Sequence, residues 1–416
     1  ESMSTQQEPR RVVRTRRVDE VDSFDALLRH CLPAFGGAYL RRIYTILDNA
    51  IGMGCPMTVA VAGPVTVSGQ HQAWLIPLLE TGWVAYVSTT DAVCYHDGHR
   101  SLEGRRDCVF EVPIFGDDGA LREQRIIRVA DMAFDEDILF DQDRFLSALL
   151  RRPEFQKKMS GTEFRYKLGL WYAAMEKAGG ADPGLLATCA RMGIPVFVGA
   201  PGDGSVFLNS MKLWAMREAG LIEQHSLELD LHLEVFESCA FHRWGLFESD
   251  AKALATLILG GGVPKNFNLQ PEPALGQILG LPDIRGYLFD VQIVSAPVTD
   301  GSLSSCFPAE AVTWGKVDKD HYQQTTESMQ CDYSIVLPLL VKALLDNRAR
   351  YERMAGEMGA EALFEKEPRA RGYLRPREGY RLFDRRAELV EKLRQAVREQ
   401  REWLFESLEY PLPPAP

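Results

Sequence analysis

Met57-Thr-Val-Ala-Val-Ala-Gly63 is a short, β-rich apolar run that stops on a glycine. Its odd and even positions are alike in being apolar or small, so it reads as a strand buried on both faces. Four further runs repeat the pattern: Val84-Ala-Tyr-Val-Ser-Thr-Thr90, Ile194-Pro-Val-Phe-Val-Gly-Ala200, Thr256-Leu-Ile-Leu-Gly-Gly-Gly262 and Tyr287-Leu-Phe-Asp-Val-Gln-Ile-Val-Ser-Ala296. Each ends on small or turn residues and leads into a helix-compatible stretch. The alternation predicts an α/β fold, a parallel sheet covered by helices.

Helices are expected at Phe24 to Asn49, Phe164 to Ala178, and Ile335 to Asn347 after a strand-like Cys331-Asp332 region. From His225 to Phe236, leucines alternate with polar residues at a strand's period of two, which leaves an edge strand and a loop both open. Residues 100–160, with the acidic stretch Asp131 to Asp143, read as an insertion over one face. The organisation expected is a mobile N-terminal arm (1–23) carrying Arg10, Arg11, Arg14, Arg16 and Arg17, a catalytic domain (24–347), and a charged helical C-terminal extension (348–416). In that extension, Tyr351 to Phe364 and Arg385 to Glu406 suit solvated amphipathic helices.

The chain has 416 residues, 46% hydrophobic and 25% charged, with 47 Lys+Arg against 58 Asp+Glu. A net charge of -11 disfavours a nucleic-acid partner and suits a small cationic ligand. The eight cysteines form no CxxC pair, which argues against a zinc site or a disulfide framework and for a reducing cytoplasm. No apolar run approaches the ~20 residues of a bilayer span, and no signal core is visible, so neither a membrane nor export is expected.

Ligands of open parallel sheets bind beyond the carboxyl ends of the strands. Those ends read Gly63-Pro-Val-Thr-Val-Ser-Gly69, Ser88-Thr-Thr-Asp91, Gly202-Asp-Gly-Ser205, Gly260-Gly-Gly262 and Asp300-Gly-Ser302. Glycine lets backbone N–H groups approach a phosphate, and hydroxyls or a carboxylate can hold ribose, so a dinucleotide is the natural candidate. Singly, each cluster is more cheaply a turn; five at equivalent strand ends are harder to dismiss. Neither a GxGxxG fingerprint nor a Walker loop is present. His96 and His99 flank Asp97 without an evident third ligand, so no metal is expected.

Glu310-Ala-Val-Thr-Trp-Gly-Lys316 stands apart. A confined lysine beside an aromatic ring can lose its proton by desolvation and attack an imine carbon. Glu310 could hold a substrate ammonium, and Trp314 offers a cation–π face. From spacing alone, an exposed lysine after a glycine turn is the cheaper reading.

That stretch, preceded by Gly260-Gly-Gly-Val-Pro-Lys-Asn-Phe267, resembles deoxyhypusine synthase and its bacterial relatives. The resemblance covers roughly residues 35–345 in the same order, including Ser68-Gly69, Tyr95-His96-Asp97, Gly202-Asp-Gly-Ser205 and Asp332 before Ser334. It implies a Rossmann-like homotetramer that uses NAD to oxidise an amine to an imine. Lys316 would then displace a diamine to form an enzyme imine, which an acceptor amine resolves. Gly63, Ser68, Ser88, Thr89, Asp203, Gly261, Gly262, Ser295, Ala296, Gly301 and Asp332 match the NAD surround. Glu310 and Trp314 match substrate contacts and Lys316 the nucleophile; Asn266, His96 and Asp97 complete the expected amine site.

The amine pocket departs from the family. Asn266 stands where deoxyhypusine synthase has a histidine, and Leu208 and Leu303 stand where it has aspartates. A desolvated polycation without counter-ions is costly. The expectation is therefore homospermidine-synthase-like transfer among spermidine, putrescine or a related diamine, with modification of a protein lysine as the rival. A noncatalytic NAD-binding scaffold is the alternative from another class.

Overall fold

The computed structural model describes residues 12–102, 108–409 and 411–414. Six strands form one parallel sheet: β1 (Met57–Val61), β2 (Val84–Thr89), β3 (Val196–Val198), β4 (Ala255–Leu259), β5 (Phe289–Val294) and β6 (Thr326–Gln330). Their order across the sheet is β6-β5-β4-β1-β2-β3. This is the doubly wound order of dinucleotide-binding folds, and its topological switch point lies between β1 and β4.

Strand periodicity divides the sheet's residues between two cores. Met57, Val59, Val61, Leu257, Leu259, Val291 and Ile293 face one side, where they pack with residues of helix α1 (Phe35–Met53) and of the long helix that ends the fold. Tyr86 and Phe197 face the other, under Phe241 and Trp244. The second face also carries a polar stripe. Thr58, Thr256, Asp290 and Gln292 are buried inside strands otherwise read as apolar.

Four of the five expected runs contain strands of five or six residues, and the third contains three. The sixth strand, Thr-Glu-Ser-Met-Gln, escaped the hydrophobic pattern because little of it is buried. The expected helix at Phe24 is two, Phe24–His30 and α1, interrupted around Pro33. A proline lacks the N–H and fixes φ, which separates the two.

Helix α2 (Leu185–Met192) packs beside Gly161–Gly179. The ambiguous stretch around Leu229 is resolved as a two-residue strand, Glu228–Leu229, followed by helix α3 (Leu231–Phe247). Asp230 caps it by accepting from the Leu233 N–H at 3.0 Å. Helix α3 buries residues around its circumference, so no 3.6-residue stripe marks it in sequence. Helix α4 (Gly262–Leu269) lies over the polar stripe, with the Asn268 amide donating to Thr58 and Thr256 hydroxyls at 3.0 and 2.7 Å.

The stretch 110–135 forms a three-stranded antiparallel sheet, in which Met132–Asp135 is the middle strand. Helix α5 (Tyr333–Met358) runs across position 347 without a break. In helix α6 (Arg386–Glu399), Leu389, Val390 and Leu393 join the second core beside Trp244. Of the expected N-terminal arm, residues 1–11, including Arg10 and Arg11, lie outside the described residues; 12–17 are exposed and non-helical.

Candidate active site

At the switch point, β1 and β4 end on glycines in the left-handed region, Gly63 at φ +89° and Gly260 at φ +74°. A side chain is strained there whatever the space. Tyr333, at the start of α5, donates its hydroxyl to the Ala62 carbonyl at 2.8 Å, and a Cβ on Gly63 would meet that hydroxyl at 3.2 Å. A Cβ on Gly261 would meet that of Ala62 at 3.0 Å. Gly261 is also the N-cap of α4 and supplies no side-chain cap, so the first N–H groups of that helix have no side-chain acceptor at their cap. Such a glycine-lined strand end at a helix N-terminus suits the phosphates of a dinucleotide.

Beside this crevice is a cavity of about 380 Å³ whose wall contains Gly301, Leu303, Cys306, Glu310, Trp314 and Lys316. Leu303 joins the two spaces, because its Cβ lies 3.6 Å from where Gly262 would carry one. Lys316 is fixed through its backbone. Its N–H donates to the Ala311 carbonyl at 3.1 Å, and its carbonyl accepts from Tyr287 N–H at 3.0 Å. Gly286 must be small here, since a Cβ would lie 2.1 Å from the Lys316 carbonyl carbon.

The Lys316 amine, by contrast, has no hydrogen-bond acceptor among the described residues and sits 5.7 Å from the centre of the Trp314 ring. Half-burial lowers its pKa from the ordinary lysine value, against the opposing pull of Cys306 and Glu272. An unshared amine whose burial eases the loss of its proton is suited to act as a nucleophile.

Sequence reasoning misses Lys265, which follows the three glycines on α4. It is 2% exposed, and its amine donates to Gln292 Oε1 at 2.7 Å and to the Cys306 carbonyl at 2.6 Å. Both bonds hold the loop after β5 onto the sheet. Burial lifts the nearby Asp290 carboxyl to about 7, with Lys265 drawing it back down. The signal for this pair was in the sequence: a charged residue inside the buried run Tyr287 to Ala296, and a lysine one turn after three glycines.

The other expected residues divide by burial. Ala296 lines a neighbouring cavity of about 300 Å³, and the Ser295 carbonyl accepts from Gln330 at 3.3 Å. Asp332 caps α5 through the Ser334 N–H at 2.8 Å, with its side chain exposed. The Ser68 hydroxyl donates to the Pro64 carbonyl at 2.6 Å. Asp203 is exposed in the turn before Ser205–Glu218. Asn266 is half-buried next to Lys265 on α4.

Several expectations need correction. Ser88 and Thr89 are wholly buried, and the Thr89 hydroxyl donates to the Val61 carbonyl at 2.8 Å. Asp97 is buried and accepts from the Leu185 and Leu186 N–H groups at 2.7 and 2.8 Å, capping α2 instead of meeting an amine. His96 packs against His99 with ring nitrogens 3.2 Å apart, and neither lines the Lys316 cavity. Leu208 is on the helix Ser205–Glu218 and is also absent from that wall. A larger apolar groove of about 700 Å³ beside Trp214 holds none of these residues. Among the described residues no cluster could hold a metal ion, and no helix is long and apolar enough to cross a membrane. Among the described residues no disulfide joins two cysteines.

Fold and site together define a doubly wound α/β protein in which a dinucleotide-type crevice opens onto a lysine pocket. Residues 28–344 match the deoxyhypusine synthase family model. A deoxyhypusine synthase-like protein of a Nostoc species is 34% identical over 370 residues, covering 88% of this chain and 86% of that protein. One from Thermosynechococcus vestitus is 33% identical over 376 residues, 90% of this chain and 84% of its own. A Methanosarcina acetivorans protein named "Probable deoxyhypusine synthase 2" is 29% identical over 267 residues, 64% of this chain and 70% of its own. The chain belongs to the deoxyhypusine synthase family.

Proposed function

We propose that the protein is an NAD-dependent aminoalkyl transferase that carries an alkyl group between amines through an imine on Lys316, with a small diamine as acceptor. The observation that carries this reading is the unshared Lys316 amine, held by its backbone in a cavity that opens onto the glycine crevice. Gly63, Gly261 and the N-terminus of α4 would hold the cofactor's phosphates. Bound NAD would supply the hydride acceptor for amine oxidation and, once reduced, the donor that saturates the product. Glu310 would neutralise an ammonium at the cavity wall, and the Trp314 face would attract the same cation. Lys316 would form the carbon–nitrogen bond.

Leu303 supports a small diamine over a longer polycation, because it places an alkyl side chain where a second ammonium would need a counter-ion. The rival acceptor, a protein lysine, draws support from Trp314, which is 68% exposed at the cavity rim. Incubation with labelled spermidine, plus either putrescine or a protein acceptor, separates the two. Label appearing only in protein would reverse the ranking; NAD binding with neither amine oxidation nor a trapped imine would leave a noncatalytic scaffold. Exposed apolar residues, among them Val298 at 57% and Phe35 at 90%, suit burial by other subunits, and a homotetramer is the assembly we expect from light scattering.

A further inference from the structure

Gly315 adopts φ +78°, and that alone favours glycine. A second constraint comes from outside its own turn. A Cβ at Gly315 would lie 2.7 and 2.8 Å from the two carboxylate oxygens of Glu272. The missing side chain is therefore what lets this carboxylate rest against the backbone one residue before Lys316. Glu272 is half-buried between Pro271 and Pro273, directly after α4, so the ring constraint on both neighbours restricts where it can point.

We propose that Glu272 is the proton acceptor for Lys316: it takes up the proton that leaves the lysine nitrogen as the imine forms. The proposal rests on the transfer reading above. When the lysine nitrogen bonds to the substrate imine carbon and the older carbon–nitrogen bond breaks, one proton must pass from the lysine nitrogen to the departing nitrogen. No electrons change hands. Glu272 accepts that proton and gives it up as the amine departs. Burial raises the Glu272 pKa while Lys316 draws it back, which suits a carboxylate that must hold a proton briefly.

The groups facing the Lys316 amine are Glu272 from the turn after α4, Cys306 from the loop after β5, Glu310 from its own segment, and Lys265 from α4 as a like charge. Of these, Glu272 is the carboxylate whose charge and that of Lys316 act on each other. Neutralising it therefore has a defined sign. The ammonium loses a stabilising anion, so Lys316 should deprotonate at lower pH, while imine capture should slow for want of an acceptor.

Competitive labelling with trace acetic anhydride, read on the Lys316 peptide between about pH 6 and 11, measures the first effect without any substrate or cofactor. In Glu272→Gln the labelling midpoint should fall by roughly one pH unit. Borohydride capture of the amine-derived imine should slow by about 100-fold. Easier acetylation with slower capture is a combination that general loosening of the turn would not give. An unmoved or raised midpoint overturns the proposal. Glu272→Asp keeps the charge with a shorter reach; it should hold the midpoint nearer the parent's and still slow capture, so it carries the test should the glutamine variant not fold. A midpoint in Glu272→Asp lower than that of a folded Glu272→Gln also overturns it. A parent protein that never traps an imine refutes the transfer reading instead, which keeps the two failures distinct.

Discussion

The two ends of the sheet's carboxyl rim use similar residues for opposite purposes. On the β2 and β3 side, Asp91 and Asp97 are buried and their oxygens accept backbone N–H groups at helix starts: Val206 and Phe207 for Asp91, Leu185 and Leu186 for Asp97. Burial still pushes both carboxyls up, to about 6 in each case. On the β4 and β5 side, Glu310 is exposed at a cavity, and the Lys316 amine is left without an acceptor. The contrast teaches that a polar residue after a strand is architecture when the fold satisfies it and chemistry when the fold leaves it reachable and unsatisfied.

The comparison breaks most sharply at Lys316. Lys316→Arg keeps a cation but removes the neutral amine nucleophile, so transfer should fall by at least ~1,000-fold while melting temperature and NAD binding hold. Borohydride during turnover, followed by peptide mass spectrometry, should mark Lys316 in the parent and nothing in the variant. Transfer near the parent's rate would send Lys316 back to being an ordinary turn lysine. Glu310→Gln should be milder, raising KM for the amine by about 10- to 100-fold through the loss of one charge-assisted contact. An unchanged KM would place the ammonium elsewhere.

On the other side of the rim, the same kind of change should read out as stability. Asp97→Ala removes the acceptor of two N–H groups at the start of α2 and should cost about 2 kcal/mol in chemical denaturation. Imine capture on the remaining folded protein should be unaltered; a selective loss of capture would restore Asp97 to the amine site. The smallest effect is expected at Tyr333→Phe, which deletes the bond to the Ala62 carbonyl at the crevice floor. It should cost about 1 kcal/mol and weaken NAD binding in calorimetry only a few-fold.

How much of this was legible depends on which signal each element carried. Five of six strands were readable because a strand buried on both faces must be continuously apolar, and β6 was not because only Ser328 of its five residues is buried. Helix α3 was hidden because its buried residues encircle it, and its alternating leucines mimicked a strand. At the site, Glu310-Ala-Val-Thr-Trp-Gly-Lys316 was readable as local chemistry, whereas Glu272 lies 44 residues before Lys316 in sequence with no motif linking them. Lys265 and Asp290 were visible as charges out of place, without a hint that they belong together.

The sequence by itself determined the parallel α/β class, the polar and glycine-rich strand ends, and the family, because these follow from local periodicity, backbone freedom and an ordered series of short motifs. Only the tertiary structure decided which of those strand-end groups remain open. Ser88, Thr89 and Asp97 were withdrawn into the fold by partners distant in sequence, and Glu272 was brought to Lys316 by the packing of one turn against another. Burial and pairing depend on the whole arrangement of the chain, and no local pattern encodes them.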